Sequence, residues 1–161
     1  AGDAIFVTGE LGGSLAGKHL NFEPRIPEGP WLAQEFDIHA MIDLSDGLAT
    51  DLRHLLGKKL GAELLTTAIP ISHAAKLRAK ETPSGKTALL AALTDGEDYE
   101  LLFTLPTEDA VKLAQMESEG KLRTHVFAQR NTLQQLAAPV KIAYASEIGA
   151  EQVLKRIEAI R

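Results

Sequence analysis

Two rhythms of apolar and polar positions divide this chain into its elements. Residues 4–8, AIFVT, form a short run rich in β-branched and aromatic side chains and read as a strand. GELGGSLAGKHL follows, with four glycines within nine residues and then a helical pattern. NFEPRIPEGP reads as a loop, because its three prolines forbid a regular ladder or a helix interior. WLAQEF has the pattern of a short helix with Pro30 near its start. IHAMIDL reads as a buried strand. The segment from Asp46 to about Leu60 then changes to helical spacing, with Leu48, Leu52, Leu55 and Leu56 on one stripe. GAELLTTAIPI predicts a further strand ending at Pro70, and Ser72 to Lys80 a helix, before the polar turn ETPSGK. TALLAAL predicts a short apolar helix and EDYELLFTLP a strand closed by Pro106. TEDAVKLAQMESEG predicts a helix with Thr107 as N-cap, acids in its first turn and Gly120 at its end. RTHVFAQ and PVKIAYA are further strand candidates, and residues 147–160 a terminal helix. Strands and helices alternate without a repeat or a linker, so residues 1–161 read as one α+β domain with helices covering a mixed sheet.

Composition narrows the classes of function. A chain of 161 residues, 45% of them apolar, can bury a core of its own. The formal charge of −5 and the absence of any basic run exclude a nucleic-acid footprint. Without cysteine there are no disulfides and no thiolate metal ligands, which fits a cytoplasmic protein. No apolar run approaches the roughly 18 residues that span a bilayer, so no membrane segment is expected. The sequence opens on Ala1-Gly2-Asp3, with neither an initiator Met nor a signal-peptide pattern, and is expected to be a fragment.

Three stretches carry candidate chemistry. In Asp43-Leu44-Ser45-Asp46-Gly47, Ser45 or Asp46 could cap the following helix, which leaves Asp43 unexplained inside an apolar strand. Alternatively, Asp43 and Asp46 face one Mg²⁺, an ion that takes one or two carboxylates together with waters and phosphate oxygens. Spacing leaves both readings open. The glycines of GELGGSLAG suit either a phosphate-cradling loop or a tight turn with close helix packing. They match neither the P-loop nor the dinucleotide fingerprint. DGEDYE crowds Asp95, Glu97, Asp98 and Glu100 into six residues. Strand alternation would put Glu97 and Tyr99 on one face and Asp98 and Glu100 on the other. Their mutual repulsion calls for cations or N–H groups nearby. The five histidines show no metal-ligand spacing, and Trp31 reads as a core plug.

GDAIFVTGELGGSLAGKHL, PRIPEGPWLA, MIDLSDGLATDLRHL and GEDYELLFT, in this order, resemble the thiamine-monophosphate kinase family over residues 2–106. The family is grouped with aminoimidazole-ribotide synthetase and selenophosphate synthetase. The resemblance implies the C-terminal half of a larger kinase, a three-layer α/β/α domain, with the N-terminal domain absent from this chain. That missing domain would form the core of a homodimer and supply most of the metal-binding aspartates. The implied reaction passes the γ-phosphoryl group of ATP to thiamine monophosphate with Mg²⁺, giving thiamine diphosphate, and the isolated chain is expected to be inactive.

By position, the resemblance makes Asp43 and Asp46 Mg²⁺ ligands, Ser45 an ATP-phosphate contact and Glu97 a contact to the thiamine substrate. It assigns no catalytic nucleophile. Two departures stand out. Asp95 replaces a usual glycine, which adds a charge beside Glu97. After about Arg123 the family's closing pattern and its aromatic substrate contact have no counterpart. These departures keep two other readings in play, a same-fold paralogue with a different substrate and a non-catalytic binding or assembly domain.

Overall fold

A computed structural model of the chain describes residues 1–119 and 126–128. Four strands, β1 (Ala4–Thr8), β2 (Ala40–Asp43), β3 (Leu101–Leu105) and β4 (Val126–Ala128), form one sheet in the order β2-β3-β1-β4. Every pairing in it is antiparallel, with Phe6 opposite Phe103 and Met41 opposite the same Phe103. A parallel element appears outside the strands, in the bridge between Leu11 and Ile71. Among the described residues five helices accompany the sheet: α1 (Glu28–Glu35), α2 (Leu48–Leu56), α3 (His73–Glu81), α4 (Ala88–Thr94) and α5 (Thr107–Ser118). Among the described residues no helix is long and apolar enough to cross a membrane.

The alternation of the strands explains the layers. Ala4, Phe6, Phe103 and Leu105 project to one face, where Leu32 of α1 and Ala110 and Leu113 of α5 cover them. Phe6 stacks on Phe103 with ring centroids 5.7 Å apart. Val7 and Leu102 project to the other face, onto Leu48 and Leu52 of α2, Ala92 of α4 and Ile69. The protein is thus α+β, with apolar cores on both sides of the sheet.

Several local expectations shift. α2 spans only Leu48–Leu56, and its leucine stripe is the one the spacing predicted. β2 is half-buried rather than buried, and among the described residues it lies at the sheet edge. Residues 61–71 form no strand. Leu64, Ile69 and Ile71 lie against the second core while the backbone makes a 3-10 turn at Thr66–Ala68. Alternating apolar positions serve such a covering segment as well as they serve a strand. The glycine stretch leads into 3-10 turns at Ser14–Ala16 and Lys18–Leu20 rather than a helix. Ser72 and Thr87 cap α3 and α4, each accepting a backbone N–H at 3.1 Å. Pro106, not Thr107, occupies the N-cap of α5. The expected strand at PVKIAYA and helix at 147–160 lie outside the described residues.

Candidate functional site

β2 ends at Asp43, and the chain turns through Leu44, Ser45 and Asp46 into α2. Gly47, the N-cap of α2, has φ +96°, and a Cβ there would sit 3.2 Å from the Leu93 carbonyl oxygen. No side chain caps the helix at Gly47, so neither Ser45 nor Asp46 has the capping role open to it in sequence. Instead Asp51, four residues into α2 and buried, reaches back and accepts the Asp46 N–H at 2.9 Å. The carboxylates of Asp43 and Asp46 are exposed, and among the described residues no cation pairs with either. Burial, and then the charges of Asp46 and Asp43, push the Asp51 carboxyl above its usual range, although the Asp46 N–H opposes this. The turn therefore carries negative charge that the described residues leave uncompensated.

Residues 95–100 lie directly on this turn. Glu97 N–H donates to the Ser45 carbonyl at 2.8 Å, Tyr99 N–H to the Leu44 carbonyl at 2.9 Å, and Leu44 N–H to the Glu100 carbonyl at 2.8 Å. A Cβ on Gly96 would lie 2.5 Å from the Ser45 oxygen, so only glycine allows this approach. The strand reading of EDYE fails here, since Glu97 and Tyr99 both have positive φ, 64° and 52°. Regular alternation begins only at Leu101, where β3 starts.

Three of the four crowded acids are anchors. Asp95 is buried against Arg78 of α3 and Lys86. The extra charge beside Glu97 is thus turned inward and neutralised. Asp98 is buried and accepts the Gly12 N–H at 2.9 and 3.0 Å and the Gly13 N–H at 3.2 Å. Burial raises its pKa, opposed by those two amides and by Lys18. Glu100 is 2% exposed and accepts Lys18 Nζ at 2.7 Å, Arg25 Nε at 2.7 Å and the Thr8 hydroxyl at 2.8 Å. The hydrogen bond to Glu100 raises the Arg25 pKa in turn. The glycine loop therefore cradles an anion that belongs to the protein itself, Asp98. It also packs tightly, since a Cβ on Gly12 would lie 2.9 Å from the Ala92 nitrogen. Glu97, alone of the four, is exposed at the loop tip. Beside it, Tyr99 meets the Phe22 ring at 4.4 Å between centroids.

The structure thus brings Asp43, Ser45, Asp46 and Glu97 onto one pair of contacting loops. Reading the sequence alone missed Lys18, Arg25, Arg78 and Lys86 as the cations that hold the second loop. Four acids in six residues were the signal, but nothing local says which distant cations answer it. The described residues contain no group of three or more His, Asp or Glu side chains arranged to hold a metal ion. Two exposed carboxylates nevertheless fit Mg²⁺, which completes its shell with water and phosphate oxygens.

No family model matches the chain. By sequence the chain is similar to the thiamine-monophosphate kinase of Rhodopirellula baltica, 50% identical over 110 residues that make up 68% of this chain and 34% of that protein. Among solved structures it is similar to AaThiL complexed with AMPPCP and TMP. That likeness has a TM-score of 0.52 and 34% identity, and covers 66% of this chain and 40% of the other. It is also similar to thiamine-monophosphate kinase from Stenotrophomonas maltophilia K279a. There the TM-score is 0.62 and the identity 26%, over 79% of this chain and 46% of the other. The chain spans 34% to 40% of the length of the first curated relatives it matches.

Proposed function

We propose that this chain, which shares sequence and fold with thiamine-monophosphate kinases over about two thirds of its length, is the C-terminal half of such a kinase. In the complete protein it would act with an N-terminal domain, as a cytoplasmic homodimer, to pass a phosphoryl group from ATP to thiamine monophosphate. The observation that carries this reading is the backbone contact between residues 44–47 and 95–100. It sets exposed Glu97 beside exposed Asp43 and Asp46, on the two loops whose sequences resemble the family.

Phosphoryl transfer asks for positioning and for charge stabilisation on phosphate oxygens, with no protein nucleophile. Asp43 and Asp46 would hold Mg²⁺, which would offset the negative charge on the phosphate oxygens of ATP during transfer. Ser45, between them, offers a hydroxyl to a phosphate oxygen. Glu97 offers a carboxylate to the thiamine substrate, which carries a cationic ring. The buried contacts of Asp95, Asp98 and Glu100 tie its loop down, which reduces the ordering left for substrate to impose. The similar AaThiL structure with AMPPCP and TMP supports nucleotide and thiamine monophosphate as the pair of substrates. On this reading the isolated chain lacks most of the metal-binding acids and is inactive.

The test uses the full-length protein. Asp46→Asn should lower Mg²⁺-dependent turnover by on the order of 10²-fold, as loss of one electrostatic stabiliser does. Glu97→Gln should raise the KM for thiamine monophosphate more than that for ATP. Full activity of Asp46→Asn at limiting Mg²⁺ would remove the metal role. Equal effects of Glu97→Gln on both substrates would reduce Glu97 to a structural residue.

A further inference from the structure

We propose that Asp51 is a positioning residue for the metal-facing turn. By holding the Asp46 amide it sets the direction in which Asp46 presents its carboxylate beside Asp43, which the β2–β3 ladder holds in place. This inference rests on the metal reading of those two residues, and it adds a residue to which that reading gives no part.

Three observations support the assignment. First, Asp51 is 2% exposed, a place where a carboxylate is costly unless it does something a smaller or apolar residue cannot. Second, its recorded hydrogen bond goes to the N–H of Asp46, outside the helix and one residue before its N-cap. In the usual capping box the acid lies three residues in and reaches the N-cap residue itself. Here the acid reaches past the N-cap to the residue whose side chain would meet the cation. Third, the turn has few other constraints. Gly47 at φ +96° is a permissive residue, and no side chain caps α2. The Ser45–Asp46 peptide is held at two points, its carbonyl oxygen by the Glu97 N–H at 2.8 Å and its N–H by the Asp51 carboxylate at 2.9 Å. Removing that acceptor leaves the peptide held at its oxygen alone, so its Asp46 end can shift about the Glu97 bond while β2, α2 and the Glu97 loop keep their own contacts.

The balance of charge agrees with a positioning role. Asp51 is close enough to Asp43 and Asp46 for their charges to act on it, yet it is buried where they are exposed. A buried carboxylate behind two metal ligands positions one of them without needing to touch the ion.

The experiment uses the full-length protein with three variants. Asp51→Ala removes the acceptor, Asp51→Leu removes it while filling the volume, and Asp51→Asn retains an acceptor oxygen. Mn²⁺ binding in the presence of nucleotide is read by titration calorimetry, and amide exchange at Asp46 by NMR. Asp51→Ala and Asp51→Leu should weaken Mn²⁺ binding about tenfold and speed exchange at Asp46. Asp51→Asn should restore both, and the Mg²⁺ concentration for half-maximal turnover should follow the same order. Unchanged Mn²⁺ affinity in Asp51→Ala or Asp51→Leu, with only a lowered melting temperature, would overturn the proposal and leave a helix-stabilising residue. So would failure of both to fold while Asp51→Asn behaves normally. Asp46→Asn, run in parallel, separates the two readings. If it weakens Mn²⁺ binding and Asp51→Ala does not, only the present inference fails. If Asp46→Asn leaves binding unchanged, both fail.

Discussion

Gly96→Ala is a single added methyl group placed where the two candidate loops touch. Its Cβ would arrive 2.5 Å from the Ser45 carbonyl oxygen, and real Cβ contacts stay beyond 3.0 Å, so the loops must separate by about 0.5 Å. The Glu97 N–H bond to that same oxygen is 2.8 Å long. A rigid displacement of this size stretches it to about 3.3 Å, past the ordinary range for N–H···O. Overpacking of this kind costs roughly 1–3 kcal/mol, and a weakened backbone hydrogen bond adds up to about 1 kcal/mol. Together they amount to roughly 1–4 kcal/mol, a sizeable part of the 5–15 kcal/mol that holds an ordinary domain together. The neighbouring backbone has little freedom to absorb the shift, because Asp95, Asp98 and Glu100 tie the loop down on three sides. Urea unfolding of the protein and its variant reads the stability directly, through the midpoint at constant m. On the proposed function, turnover of the full-length protein should also fall by on the order of tenfold, since Glu97 would move relative to Asp46 by a distance that matters for positioning. A stability loss below about 0.5 kcal/mol, within the range of a neutral surface substitution, would refute the tight contact between the loops and with it the shared site.

Two further outcomes test the surroundings of the site. Glu100→Ala leaves Lys18 and Arg25 facing a cavity without their anion and should cost about 3 kcal/mol in denaturant unfolding, whereas no loss would mean that both cations simply turn to solvent. His39 hydrogen-bonds Asp3 at 2.7 Å and pairs with Asp37 at 3.3 Å, and the bond to Asp3, then its charge, raises the His39 pKa above 6.5. Its contribution is therefore complete below about pH 6.5 and lost as pH rises through the higher folded value. The melting temperature should fall over that window less in His39→Asn than in the parent, and equal slopes would assign the pH dependence elsewhere.

Local rules in the sequence were enough for much of this protein. The residues of β1 and the leucine stripe of α2 were legible because each depends on spacing or on a neighbour a few positions away. Asp43, Ser45 and Asp46 were legible as candidates because polar groups set into apolar surroundings call for a reason, whereas Glu97 was singled out from its neighbouring acids by the family resemblance. Tertiary structure decided what each polar group does. Asp98 answers amides 85 and 86 positions away, and Glu100 answers cations 75 and 82 positions away. No local pattern encodes those partners. The same holds for residues 61–71, whose apolar spacing serves a strand or a covering segment until the sheet has chosen its neighbours. The positive φ angles of Glu97 and Tyr99 belong to this second group. They are held by buried ion pairs and backbone contacts that exist only after the chain has folded, and they turn a segment with a strand-like sequence into a loop that presents one acid to solvent and buries three.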